Sequence, residues 1–308
     1  MQPKILLTGR SGQVGYELFQ TLSPLADVYA IDVQDVDLSD VSALERFVRC
    51  LGLIDMIVHP AAFTAVDLAE EQPDLARAIN VEASRILAEE AAQRNIPMIY
   101  YSTDYVFDGS RSFDSCYTEN DSTSPLSVYG LTKRDGETAV RTICKKHCIL
   151  RLCWVYGLRG NNFLRTMLRL YHQGKTPNVV YDQIGAPTWS RIIAMTTAII
   201  VAKILNVSPS EHAEYSKDSE FPWGTYHLSA DGVASWHEFA AAIFVAMNRQ
   251  TGQKIELPKP ILSAAYPVKA TRPKNSRLDN NLLSVTLGLK LPDWQTQLAW
   301  CLDAVKNE

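Results

Sequence analysis

The amino-acid sequence predicts an α/β fold, a doubly wound parallel sheet with a smaller mixed α/β lobe, and three observations carry that prediction. Strand-length apolar runs alternate with longer stretches of helical periodicity through the first half of the chain, the rhythm of a parallel sheet covered by helices on both faces. The first run ends in a glycine-spaced turn, Gly9-Arg-Ser-Gly12-Gln-Val-Gly15. At 308 residues, 46% of them hydrophobic and 21% charged, the chain can bury a full core and divide into two lobes.

Lys4-Ile-Leu-Leu-Thr8 is the first strand, and Val14, Leu18 and Leu22 repeat at helical spacing after the glycine turn. Glycine lets the backbone turn sharply and approach a pyrophosphate, whose charge settles on the free N–H groups at the positive end of the helix. Gly9, Gly12, Gln13 and Val14 are therefore candidate cofactor-binding residues. Val28-Tyr-Ala-Ile-Asp32 is a second strand, ending in an acid where a ribose 2′-hydroxyl is held. Arg10, inside the turn, suits a 2′-phosphate instead, so NADH and NADPH both stay open. Helix Val41 to Cys50, strand Met56 to His59, helix Pro73 to Arg94 and strand Met98 to Tyr101 continue the alternation. Ligands of such sheets bind beyond the carboxyl ends of the strands. The residues there are Asp37 and Leu38, then Ala61, Ala62 and Thr64, then Ser102-Thr-Asp-Tyr-Val-Phe107. The two alanines read either as room for a cofactor against the backbone or as a tight turn.

Tyr129-Gly-Leu-Thr-Lys133 supplies a chemistry. A tyrosine and a lysine four apart on a helix lie on one face, about 5–6 Å apart. That is a proton donor beside a cation, and the cation lowers the phenol pKa from roughly 10 towards the working pH. Tyr171-His-Gln-Gly-Lys175 has the same spacing, but Gly174 inside it and Pro177 after it place it at a fraying helix end.

The bulk composition excludes several classes. A net charge of -4 without a Lys/Arg run argues against a nucleic-acid polymer as partner. No apolar run approaches membrane-spanning length and no signal peptide opens the chain, so a cytoplasmic location away from membranes is expected. Six cysteines in such a chain read as free thiols. Cys144-Lys-Lys-His-Cys148 lacks a second ligand pair at zinc-site spacing, so no metal is expected there.

In their order, the glycine turn, Ala-Ala, Ser-Thr-Asp and Tyr-x-x-x-Lys make the chain similar to the extended short-chain dehydrogenases that act on nucleotide sugars and carry a Rossmann cofactor domain. More narrowly, it resembles the dTDP-4-dehydrorhamnose reductase family. The matching segments are Gly12-Gln-Val-Gly15, Thr64-Ala-Val-Asp67, Tyr101-Ser-Thr-Asp-Tyr-Val-Phe107, Pro125-Leu-Ser-Val-Tyr-Gly130, Trp154-Val-Tyr156 and Asn161-Asn-Phe163. Asp182-Gln-Ile-Gly-Ala-Pro-Thr188, Arg272-Pro-Lys-Asn-Ser-Arg-Leu278 and Leu291-Pro-Asp-Trp294 follow, so the resemblance spans nearly the whole chain.

The resemblance implies NADPH- or NADH-dependent reduction of the C4 ketone of dTDP-4-dehydro-L-rhamnose, within the biosynthesis of dTDP-rhamnose, a lipopolysaccharide carbohydrate. It makes Tyr129 the proton donor, Lys133 the residue that holds the nicotinamide ribose, and Thr103 the hydroxyl that orients the carbonyl. It turns Asp104, Tyr105, Phe107, Trp154, Asn162, Phe163, Gln183 and Arg272 towards the dTDP-linked sugar. Related 4,6-dehydratases carry an Asp-Glu pair where this chain has Asp104-Tyr105, which implies a simple reductase. Some bacterial relatives dimerise around a divalent ion held by acids at positions like Glu17. Here Arg191 stands where another acid would be wanted, so a homodimer without a metal is the assembly implied.

Residues 1–153 are expected to form the cofactor domain, completed by about 178–205 and 224–232 through returns to the sheet at Val179 to Tyr181 and Thr225 to Leu228. The substrate lobe takes about 154–177, 206–223 and 233–308, with 206–223 a surface connection of no assigned role. Two other readings compete: a reductase of a different nucleotide-linked 4-keto-6-deoxy sugar, and a non-catalytic cofactor-binding subunit resembling the methionine adenosyltransferase beta subunit.

Overall fold

Leu6, Ile57, Tyr100 and Ile149 turn to one face of a central sheet, while Ile5, Leu7, Met56, Val58, Ile99, Tyr101 and Leu150 turn to the other, each set joining its own buried core. Successive strand residues point to opposite faces, so strands apolar at every position must be covered on both sides. A computed structural model, describing residues 2–206 and 221–305, shows that arrangement. The strands are β1 (Lys4–Thr8), β2 (Asp27–Ile31), β3 (Met56–His59), β4 (Met98–Thr103) and β5 (His147–Leu152). With the strand Gly224–His227 they form a six-stranded parallel sheet whose order runs Gly224–His227, β5, β4, β3, β1, β2. The order reverses between β1 and β3, where such sheets open a crevice at their carboxyl ends.

The helices are α1 (Gln13–Leu22), α2 (Val41–Cys50), α3 (Val66–Glu71), α4 (Pro73–Arg77), α5 (Ala83–Gln93), α6 (Val128–Ile143), α7 (Phe163–His172), α8 (Ser190–Ile204) and α9 (Trp236–Thr251). Local chemistry fixes several ends. The Asp40 side chain accepts from Ala43 N at the start of α2, and Ser127 does the same for Gly130 N at the start of α6. A capping box of Ser235 and Glu238 opens α9, and Gly252, in the left-handed region, closes it.

Two expectations are corrected. The strand at Asn178–Val180 does not return to the central sheet; it pairs with Lys259–Ile261 in a small separate sheet. The edge beside β5 is taken by Gly224–His227, and 178–180 finds its hydrogen bonds in the second lobe. The helix expected over Pro73 to Arg94 is broken by a π-helical turn at Ala78–Glu82, and α3 precedes it. Most of the 206–223 connection, residues 207–220, lies outside the described residues. The cysteines are free thiols, and among the described residues no helix is long and apolar enough to cross a membrane.

Candidate active site

A cleft of about 1540 Å³ runs from the carboxyl ends of β1 and β3, past β4, to the second lobe. Gly9, Gly12, Gln13, Val14, Asp32, Asp37, Leu38, Ala61, Ala62 and Thr64 all line it. Gly9 has φ of 63°, and a Cβ there would lie 2.9 Å from the Cβ of Ala61. A Cβ on Gly15 would come within 1.9 Å of the Gly9 carbonyl oxygen. Close packing of turn on loop therefore accounts for glycine at 9 and a small residue at 61, and it leaves the backbone bare towards the cleft. Gly12 precedes helix α1 and gives it no side-chain cap, so its positive end faces the same space.

Ser11 N and Val33 N both donate to the Asp32 carboxylate. Burial raises its pKa, but those bonds and the charge of Arg10 outweigh burial and hold it below the ordinary value. Gln13 Oε1 and Ser102 Oγ are buried without a hydrogen-bond partner along the same wall. A bare turn, an uncapped helix start, an ionised acid at the end of β2 and two unmatched polar atoms fit a dinucleotide. Arg10 is not part of that wall. Its guanidinium lies over the Phe19 ring, 4.3 Å from the centroid, while its charge still acts on Asp32.

Tyr129 and Lys133 sit on the first turns of α6 and both line the cleft. Lys133 is 2% exposed, its Nζ 4.1 Å from the centroid of the Tyr100 ring. Burial pulls its pKa down to about 7 against the opposing charge of Glu137. Burial pushes the Tyr129 phenol up to about 12, with the neighbouring Thr103 hydroxyl opposing and the charge of Asp104 adding to it. The protein's own groups therefore do not draw the phenol towards neutrality, contrary to the expected influence of Lys133, because removal from water outweighs the neighbouring charges.

Thr103 ends β4, donates to Asp104 Oδ1 at 2.9 Å and accepts from Tyr105 N. Burial raises the Asp104 carboxyl to about 6, and its Oδ2 has no partner. The Tyr105 ring meets Tyr129 edge-on, centroids 5.8 Å apart.

The far wall is aromatic. Trp154, with φ of 45°, stacks on Trp236 at 3.5 Å between centroids, and Phe163 packs against Trp236 at 4.7 Å. A Cβ on Gly185 would run into Trp154, so glycine there makes room for the indole. Gln183 and Arg272 also line the cleft, and Arg272 is paired with Asp67 at 2.7 Å. Asn162 lines it too, but its side chain is engaged in capping α7 through Arg165 N and in bonds to the Gly157 and Arg159 carbonyls.

Phe107 is corrected outright. It is fully buried, stacked on Tyr117 at 4.3 Å and against Arg151, because the 3-10 turn Asp104–Val106 carries the chain back into the core. Trp236 was not foreseen; an isolated tryptophan at a helix start carries no sequence signal beyond ordinary core packing. Glu17, at a position like that of an acid in the metal-bridged relatives, is buried and paired with Arg191 at 2.8 Å.

The family described as the RmlD substrate binding domain matches residues 3–307. A dTDP-4-dehydrorhamnose reductase of Burkholderia thailandensis is 40% identical over 302 residues, 97% of this chain and 98% of the relative. One from Escherichia coli K12 is 40% identical over 296 residues, 94% of each chain. The dTDP-4-dehydrorhamnose reductase of Bacillus anthracis, solved in complex with NADP, superposes with a TM-score of 0.85 at 33% identity, covering 99% of this chain and 100% of that one. The Clostridium acetobutylicum structure gives 0.84 at 35% identity, covering 98% and 99%. The chain belongs to the dTDP-4-dehydrorhamnose reductase family, the group described by the RmlD substrate binding domain.

Proposed function

We propose that the protein reduces the C4 ketone of dTDP-4-dehydro-L-rhamnose to dTDP-L-rhamnose with a reduced nicotinamide dinucleotide. The observation that carries this is the placement of Tyr129, Lys133 and Thr103 in one cleft with the glycine cradle at one end and the indole wall at the other. Gly9, Gly12, Gln13, Val14, Asp32, Ala61, Ala62 and Thr64 hold the dinucleotide, which when bound supplies the hydride. Asp32 faces its adenosine ribose, with Arg10 beside it for a 2′-phosphate, so NADH and NADPH both stay open.

Thr103 swings its single hydroxyl proton from Asp104 Oδ1 to the ketone oxygen and so orients the carbonyl. Tyr129 then gives its proton to that oxygen as it gains charge. A phenol held near 12 is fully protonated at neutral pH, and an alkoxide is more basic than a phenolate, so transfer runs downhill in the direction of reduction. Lys133 holds the nicotinamide ribose and, when charged, stabilises the phenolate left behind. Trp154 and Trp236 form the sugar-facing wall, with Gln183 and Arg272 along the nucleotide's path.

The cofactor half is residues 1–153 with α8 and the strand Gly224–His227; this is supported by the pairing of that strand with β5 and the packing of α8 on α1. The sugar nucleotide is taken by 154–177 and 233–308. The reaction proceeds in the cytoplasm, and the working assembly is a homodimer, a reading supported by half-exposed Met195 and Ile199 one turn apart on α8.

The test mixes purified protein, the keto sugar generated in place, and NADPH or NADH, then follows reduced-nicotinamide absorbance and identifies the product. Oxidation with dTDP-L-rhamnose as product is expected. A folded protein that binds either dinucleotide yet turns over no keto sugar would overturn the proposal.

A further inference from the structure

Beneath the cleft, a continuous chain of buried polar side chains links the cofactor turn to the helix that carries Tyr129. It begins at Thr8, the last residue of β1, whose hydroxyl lies 2.7 Å from His59 Nδ1. His59 Nε2 lies 3.2 Å from Ser84 Oγ, which donates to the Asn80 carbonyl at 2.9 Å. Burial and the charge of Lys133 lower the His59 pKa to about 3, so the ring is a neutral connector that donates through one nitrogen and accepts through the other.

Asn80 sits in the π-helical turn and is 1% exposed. Its side chain pairs with the Phe63 backbone in both directions, accepting from N at 2.8 Å and donating to O at 3.2 Å. Phe63 lies between Ala62 and Thr64, both in the cleft wall. The second Asn80 N–H donates to Thr132 Oγ1 at 3.0 Å, and Thr132 in turn donates to the Tyr129 carbonyl at 3.0 Å. Every side-chain donor of Asn80 and Thr132 is used, and π-helical turns inside helices are frequent at functional sites.

We propose that Thr132 is a positioning residue: through Asn80 it ties the main chain of Tyr129 to the Phe63 segment of the cofactor wall, so that cofactor binding and placement of the proton donor are one event. The proposal rests on the reductase reading above for its kinetic arm only. Thr132 is 4% exposed and does not line the cleft, so its effect is transmitted and not direct.

Thr132→Val keeps the shape and removes both bonds, while Thr132→Ser keeps the hydroxyl. In the valine variant kcat for keto-sugar reduction should fall roughly tenfold with the sugar KM within twofold, since a small misplacement of a reacting group costs rate before it costs binding. Serine should restore most of that loss. Independently of turnover, hydrogen exchange is followed in the segment 127–133 with and without NADPH. Wild type and Thr132→Ser should gain protection on adding NADPH, and Thr132→Val should gain much less. Equal protection in all three proteins, or a valine variant with wild-type kcat, would overturn the proposal. A wild type that turns over no keto sugar sinks the reductase reading instead, and the exchange comparison still decides the positioning role.

Discussion

The molecule contains the same five-residue pattern twice, and the two copies have opposite fates. Tyr129 and Lys133 stand on the first turns of a helix capped by Ser127, at the carboxyl edge of the sheet, with the phenol open to the cleft. Tyr171 is 1% exposed at the end of α7, its hydroxyl bonded to Asn248 Oδ1 and Thr251 Oγ1. The helix carrying it stops at His172, Gly174 takes φ of 64°, and Lys175 is left exposed beyond the end. Spacing alone brings two side chains to one face only while the helix lasts. The difference teaches that a catalytic pattern is read from what precedes and follows it: a cap and an open strand edge at one copy, a glycine and a proline at the other.

The two lysines separate the copies by the largest effect. Lys133→Met should lower kcat roughly a hundredfold, the scale of a lost acid–base partner, and weaken dinucleotide binding, whereas Lys175→Met should alter neither. Steady-state rates and a dinucleotide titration of both variants check this.

Asp104, beside the first pair, provides a pH-dependent contrast with no counterpart at the second. Its folded-state pKa of about 6 lies above the unfolded value of 3.8, so the folded state binds this proton more tightly and the group costs stability as pH rises through that window. Asp104→Asn removes the titration. Its stability relative to wild type should therefore improve by about 2 kcal/mol between about pH 4.5 and pH 7, measured by urea unfolding. A pH-independent difference would contradict the burial argument.

Tyr171→Phe should produce the smallest change. It removes a buried hydroxyl and its two partners' bonds, costing about 1 kcal/mol in urea unfolding, with turnover at the wild-type level. A large loss of activity there would reopen the choice between the two copies.

Much of this was legible in the chain. Alternating apolar runs gave the sheet, and Gly9 and Gly15 marked a turn that packs too closely for side chains. Asp32, Ala61, Tyr129 and Lys133 fall at strand or helix ends, where position along the chain already implies position in the fold. What was not legible depends on partners distant in sequence. Phe107 looks like a site residue until the 3-10 turn sends it onto Tyr117. Trp236 lines the cleft stacked on Trp154, a partner distant in sequence, and the π-helical turn at Asn80 has neither glycine nor proline to announce it. Val179 shows the same limit for topology, since periodicity identifies a strand without naming its neighbour.

The most direct measurement compares the rate of reduced-nicotinamide oxidation by wild type and Tyr129→Phe at saturating dTDP-4-dehydro-L-rhamnose, alongside dinucleotide binding by each. With Tyr129 as the proton donor, the variant binds the dinucleotide as tightly as wild type and loses at least a hundredfold in kcat, on the order expected for removal of a general acid. Near-normal turnover in that variant would show that the acid lies elsewhere.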